Sequence, residues 1–284
     1  MKISILCNLN QARSPFGQAV LEHFFPEQII QSAGIAAVDS TDTCVEVRLI
    51  AEEWKLPSVK PQSESIYTWK DHIVNSSLVI IAESSMEVPV RLLGFNGPCI
   101  SLDDLRIDAT FIPTDPLELS FQKFNLELAK VAYCSVQVMR IYLNQTNQNQ
   151  ILTVIPESEE DTAYAYAYSK LEQKITGGVI IDADFRAPAS RGYSSDFDVE
   201  YLDVENFEKV DLSKIGPRTV LVPAREYGKP ESILISNGWK SFLEKLSEIM
   251  PVYLISAPRQ TEGKKLVDSY LCAIWSDKVT IINS

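Results

Sequence analysis

The stretch from Ile3 to Phe25, "ISILCNLNQARSPFGQAVLEHFF", decides how the chain begins. Lys2 to Leu6 reads as a short buried strand, and Ser14 to Phe25 places Phe16, Val20, Leu21 and Phe24 at helical spacing before Pro26 ends the run. Strand, tight loop and helix in that order aim backbone N–H groups and the positive end of a helix dipole at one spot, which makes an anion site. Cys7 stands at the mouth of that site, Arg13 follows six residues later, and Pro15 suits a first helical turn. The same N–H groups and the same cation stabilise a thiolate, so Cys7 is expected to be a nucleophile at neutral pH. Arg13 supplies a planar fork that holds two oxygens of a phosphoryl group, and Ser14 is placed to donate to the sulfur as it leaves. The rival reading of Cys7 is a plain strand-end core residue; its place between strand and helix favours the chemical one.

Outward from that stretch, Gln28 to Ile35 reads as a second strand, Cys44 to Lys55 as a helix, and Ser77 to Ala82 and Gly97 to Ser101 as strands. Glu118 to Tyr142 has a helical period over several turns. Asn144 to Gln150, "NQTNQNQ", is polar, uncharged and without apolar periodicity, and reads as a linker between a domain at 1–146 and another at 150–284. The alternation then restarts, with strands at Ile151 to Ile155, Gly178 to Ala183, Thr219 to Pro223, Val252 to Ser256 and Lys278 to Asn283. Helices are expected at Thr162 to Lys174 and Trp239 to Ile249. Strands alternating with helices predict an α/β chain of two domains, each a parallel sheet flanked by helices.

At 284 residues with 45% hydrophobic side chains, the chain has material for two cores. A formal charge of −12 and a pI near 4.7 argue against a general affinity for nucleic acid or anionic lipid. No run approaches roughly 18 apolar residues, so membrane insertion is not expected and the reading is a cytoplasmic protein. Five widely spaced cysteines without a Cys-x-x-Cys pair indicate neither a disulfide framework nor a structural zinc, and four of them are expected in the core. With His23 and His72 the only histidines, no metal site and no cofactor are expected.

The segment "CNLNQARSP", Cys7 to Pro15, resembles the phosphate-binding loop of the low-molecular-weight protein tyrosine phosphatases, Cys-x-x-Asn-x-x-Arg-Ser-Pro; Cys7, Asn10, Arg13, Ser14 and Pro15 match it. That family also carries an Asp-Pro pair before its last long helix, and "FIPTDPLELSF" places Asp115-Pro116 there. "SAGI" at Ser32 to Ile35 and "SSLVIIAE" at Ser76 to Glu83 look like further family segments, so the resemblance covers roughly residues 1 to 146. It implies a flavodoxin-type sheet and a phosphoric monoester hydrolase working through a cysteinyl-phosphate. In that scheme Cys7 attacks phosphorus, Arg13 and the loop residues Asn8, Leu9, Asn10, Gln11, Ala12 and Ser14 bind the phosphoryl group, and Asp115 protonates the leaving oxygen. By itself, an aspartate before proline is a turn or helix-start residue. The chain departs from the pattern at Leu9, where the family has a glycine free to take unusual backbone angles. It departs also at Asn8, at Ala12 in place of a second loop cysteine, and at Leu117, where an aromatic often lines the cleft.

In the second half, "GGVIIDADFRAPAS" at Gly177 to Ser190 resembles the "IDADxRxP" segment of bacterial tyrosine kinases and polysaccharide chain-length regulators, a branch of the P-loop ATPases. "ESILISNGWKSFLEKLSEIMPVYLISAP" looks like that family's helix and next strand, extending the resemblance over about 150–284 and implying a P-loop-ATPase-like sheet. Nucleotide binding needs a glycine-rich turn with lysine, whereas "PESEEDTAYAYAY" after the first strand has neither and is acidic. Ser256 stands where the family has a magnesium-binding aspartate. Asp182 and Asp184 are therefore read as strand-end residues of a degenerate, pseudokinase-like domain. The expected partner is a phosphotyrosine protein, such as a bacterial tyrosine kinase or a component of exopolysaccharide export, with no nucleic acid. The alternative is a catalytically weak or inactive adaptor of polysaccharide assembly.

Overall fold

The computed structural model describes residues 1–105, 113–117, 119–143, 151–156, 178–186, 198–216, 219–258 and 264–282. It divides into two compact units, Met1–Gln145 and Thr146–Ser284. The expected linker at Asn144 to Gln150, the helix at Thr162 to Lys174, the acidic segment after Pro156 and the end of the last strand at Asn283 lie outside the described residues.

In the first unit β1 (Lys2–Cys7) lies at the centre of a parallel sheet with β2 (Ile29–Gly34), β3 (Leu78–Ile81) and β4 (Cys99–Ser101), in the order β2-β1-β3-β4. This is the flavodoxin-type order over its first four strands, and β1 sits where the connections change side. A strand covered on both faces needs apolar residues throughout, and β1 is buried from Ile3 to Cys7. On one face Ile5 meets helix α1 (Arg13–Phe24), where a Cβ at Gly17 would lie 2.4 Å from Ile5 Cδ1. Only glycine lets the helix approach so closely. Helix α5 (Phe121–Tyr142) packs against α1. On the other face Leu6, Val79 and Ile81 join Ile73, Val90 and Phe95, contributed by α3 (Lys70–Val74), α4 (Glu87–Leu93) and the turn after it.

Helix α2 (Val45–Glu53) matches its apolar spacing, whereas α3 and α4, five and seven residues long, are too short for a period to be seen. Helix α5 starts at Phe121, later than its periodicity implies, because Ser120 is held extended at φ −62° and ψ 153°. One further segment has no counterpart in the apolar pattern. Residues 61–66 run beside the end of β2, with Gly34 N–H donating to Glu64 O at 2.8 Å and Ile66 N–H to Gly34 O at 3.0 Å. Its pairing is limited to two isolated bridges, Gly34 to Ser65 parallel and Asp42 to Gln62 antiparallel, so it carries no strand signature.

The second unit is a six-stranded sheet, all pairs parallel, in the order β10-β5-β9-β6-β8-β7. Its strands are β5 (Ile151–Pro156), β6 (Val179–Asp182), β7 (Asp198–Leu202), β8 (Thr219–Pro223), β9 (Val252–Ile255) and β10 (Lys278–Ile282). The described helices are α6 (Glu231–Leu234), α7 (Asn237–Ser247) and α8 (Lys264–Ala273). Helix α7 begins two residues before Trp239 because the Ser236 hydroxyl accepts from Trp239 N–H at 3.0 Å. Edge strand β7 is exposed at four of its five residues and so lacks the apolar run that marks its neighbours.

Cys134 and Cys272 are core residues, and burial pushes both thiols up to about 12. Cys44 and Cys99 are only half-buried, which corrects the expectation of four core cysteines. Among the described residues, no helix is long and apolar enough to cross a membrane.

Candidate active site

The C-terminal end of a central parallel strand, where the sheet's connections diverge, is the place such folds hold ligands. Cys7 occupies that end of β1, buried and paired in register with Gly34. The chain then turns through residues 8–12 and enters α1, whose first hydrogen bond runs from Phe16 N–H to Ala12 O at 3.1 Å. The N–H groups of the opening turn of a helix have no partner within it, so they face the loop's interior.

The loop is fastened on several sides. Ile35 N–H donates to Cys7 O at 3.0 Å, Ala36 N–H to Asn8 O at 2.9 Å and Cys44 N–H to Gln11 O at 3.0 Å. Asn10 is fully buried and adopts the left-handed region at φ 54°. Asparagine tolerates that region better than most residues, and here both ends of its amide are bonded. Nδ2 donates to Ser14 Oγ at 2.8 Å, and Oδ1 accepts from Glu64 N–H at 2.9 Å. The unusual backbone angle therefore falls on Asn10, while Leu9, half-buried, has no positive φ. That removes the conformational objection raised by a leucine at the family's glycine position. The space demand lies beneath the loop: a Cβ at Gly34 would sit 2.7 Å from Asn8 O and 2.9 Å from Asn10 N.

Ser14 Oγ donates to Cys7 Sγ at 3.0 Å. Arg13 is 3% exposed, and its terminal nitrogens are held by two carboxylates, Nη1 by Glu83 Oε1 at 2.6 Å and Nη2 by Asp115 Oδ2 at 2.9 Å. Burial opposes its charge, but hydrogen bonding to Glu83 and the charges of Cys7, Asp115 and Glu83 outweigh that and hold the guanidinium above its ordinary value. Asp115 is set by its own loop, with Oδ1 accepting from Leu117 N–H at 3.2 Å. Residues 7, 13, 14 and 115 thus meet at one point, and Asn8, Leu9, Gln11 and Ala12 line the loop between them. Glu83, a direct partner of the central arginine, has no distinguishing mark in the sequence beyond its place at the end of the β3 segment.

In the second unit Asp182 and Asp184 are buried, and Asp184 N–H donates to Asp182 Oδ1 at 3.0 Å, closing a turn at the strand end. Arg186 is bidentate on Asp268, with Nε to Oδ2 at 2.6 Å and Nη2 to Oδ1 at 3.2 Å, and also contacts Glu231 and the Gly228 carbonyl. Burial pushes the Asp268 carboxyl well above the usual carboxylate range, and Arg186 offsets this only in part. Ser256 is turned inward, its hydroxyl donating to Ala257 O at 3.1 Å. Among the described residues, no cluster of His, Cys, Asp or Glu has the arrangement to hold a metal ion.

The chain matches no protein-family model and no curated protein. Among solved structures it is similar to the tyrosine phosphatase amsI of Erwinia amylovora, with 20% identity over 50% of this chain and 93% of that one and a TM-score of 0.44. It is likewise similar to the YwlE arginine phosphatase of Geobacillus stearothermophilus, with 18% identity over 51% and 94% and a TM-score of 0.44. The tyrosine phosphatase Wzb of Escherichia coli K30, in complex with sulphate, gives 19% identity over 50% and 99% and a TM-score of 0.43.

Proposed function

We propose that the first unit is a phosphatase of protein phosphotyrosine that works through a cysteinyl-phosphate on Cys7. The observation that carries this reading is the junction at Arg13, which joins the nucleophile loop to Asp115 across a hundred residues of sequence. An arriving phosphoryl group takes the fork of Arg13 and the N–H groups at the start of α1, and Asp115 is displaced from Nη2. The Cys7 thiolate attacks phosphorus as the ester P–O bond breaks, and the leaving oxygen takes a proton from the Asp115 carboxyl. Asp115, now a carboxylate, removes a proton from water; that water attacks phosphorus, the S–P bond breaks, and Ser14 steadies the departing thiolate. Leu117 beside Asp115 offers an aliphatic wall where an aryl leaving group would rest.

The second unit, on this reading, is a kinase-like domain that no longer binds nucleotide: Ser256 faces inward, and the carboxylates at the end of β6 are tied into a structural turn. A phosphatase-like half joined to a half that resembles the tyrosine kinases and chain-length regulators of polysaccharide export suggests a phosphotyrosine partner in that setting, such as a tyrosine kinase of exopolysaccharide assembly. Hydrolysis of p-nitrophenyl phosphate tests the activity. Wild type turns over and Cys7→Ser does not, while Asp115→Asn slows the reaction by about 10²–10⁴-fold; folded wild-type protein with no turnover would leave the adaptor reading. Phosphotyrosine and phosphoarginine peptides, compared side by side, identify the leaving group.

A further inference from the structure

We propose that Lys60 and Glu64 are positioning residues for the nucleophile loop: their ion pair pins residues 61–66 under the loop, where Glu64 holds Asn10 in its left-handed turn. This rests on the reading of Cys7 as nucleophile, and it assigns a role to two residues that neither the loop pattern nor the Asp-Pro pair includes.

The connections form one unbroken path. Lys60 Nζ donates to Ser32 O at 2.5 Å and to Glu64 Oε2 at 2.7 Å, so a single ammonium joins β2 to the 61–66 segment. Gln31 Nε2 donates to the same Glu64 oxygen at 3.1 Å. Glu64 N–H then donates to Asn10 Oδ1, Asn10 Nδ2 to Ser14 Oγ, and Ser14 Oγ to Cys7 Sγ. Backbone bonds hold the segment from its outer side, with Ser63 N–H to Thr41 O at 2.7 Å and Thr43 N–H to Pro61 O at 2.9 Å.

Lys60 is a costly choice for a merely structural contact. Its side chain is 17% exposed, and burial lowers its ammonium below the ordinary value, with Glu64 and, beyond it, Cys7 and Asp39 acting the other way. A largely covered cation is kept in place by specific partners, and those partners here lead to the loop. An uncharged side chain at 60 would leave the Glu64 carboxylate held by Gln31 alone, and the residue whose N–H bonds Asn10 would lose its side-chain tie to β2 through Lys60, keeping only its backbone bonds. The loop N–H groups would then lose their common aim, and small displacements of groups that hold a phosphoryl centre have large effects.

The test uses the full chain and two readouts that do not require turnover: orthovanadate affinity, and the rate of Cys7 alkylation by iodoacetamide at fixed pH, located by peptide mapping. Lys60→Gln keeps a hydrogen-bond donor and removes the charge. It is expected to weaken vanadate binding and slow Cys7 alkylation by about tenfold each, with Lys60→Arg restoring most of both. If Lys60→Gln fails to fold, Glu64→Gln, which leaves the backbone bonds of 61–66 intact, carries the same readouts. Values within about twofold of wild type in the folded variant would overturn the proposal. Loss of both readouts in Lys60→Gln, with a wild type that binds vanadate but hydrolyses no aryl phosphate, would leave the positioning role standing and remove the phosphatase reading.

Discussion

In each unit an arginine shortly after a strand of its sheet, Arg13 buried and Arg186 mostly so, meets two carboxylates. Arg13 has Glu83 and Asp115, each 43% exposed and carried on loops or strand ends; Arg186 has Glu231 and Asp268, 3% and 1% exposed and carried on helices α6 and α8. The motif is the same and the surroundings decide its use. Carboxylates that touch water can leave their cation at small cost, which is what the proposed exchange of Asp115 for a phosphoryl group at Arg13 requires. Carboxylates sealed in the core cannot leave, so Arg186 works as a staple between the end of β6 and two helices.

That contrast breaks most sharply under removal of each arginine. Arg186→Met strands two buried carboxylates and is expected to cost about 3–5 kcal/mol in chemical denaturation of the second unit, with p-nitrophenyl phosphate turnover unchanged. Arg13→Met frees two half-exposed carboxylates to water, so stability changes little, while kcat/KM falls by about 10²–10³-fold. Equal stability losses for the two variants would erase the distinction between the two arginines.

A finer cut uses pH. Because burial holds the Asp268 carboxyl above its unfolded value, the folded unit binds the proton more tightly, and this contribution is fully present below the unfolded carboxylate value of about 4. It is lost as pH rises through the folded value. Hydrogen-exchange protection of α8 should therefore decline as pH is raised from acid toward neutral, and Asp268→Asn should flatten that trend. No matching trend is expected at α1.

Within the first unit two substitutions order the loop's demands. Gly34→Ala drives a methyl against Asn8 O and Asn10 N, both backbone atoms, and is expected to cost about 1–3 kcal/mol together with most of the vanadate affinity. Leu9→Gly, at a position whose backbone needs no glycine, should change turnover and stability by no more than about 0.5 kcal/mol.

The parts legible in the sequence are those whose physics is local. β1, α1 and the buried strands β3, β8 and β9 announce themselves by continuous apolar runs or helical spacing, and the Cys-Arg pair is visible because six residues separate it. Asp115 became readable only through the resemblance, since an aspartate before proline has a cheaper explanation as a turn. The 61–66 segment, α3, α4 and α8 were not readable, being short or lacking a free apolar face, and Glu83 and Lys60 look like any surface charge until the sheet brings them under the loop. The objection at Leu9 arose from reading the family's glycine as the strained position, whereas the left-handed angle lies one residue on, at Asn10.

The register that sets Cys7 beside Gly34 also has a consequence in time. The candidate site draws on residues 7, 10, 13, 34, 64, 83 and 115, so it cannot exist in any fragment of the emerging chain shorter than these. The contacts of Asn10 with Glu64 and of Arg13 with Glu83 and Asp115 span about 50 to 100 residues of sequence and are slow to close. Oxyanion binding during refolding should therefore lag the formation of α1 and α5, and it supplies a natural clock for the last docking event in this half of the molecule.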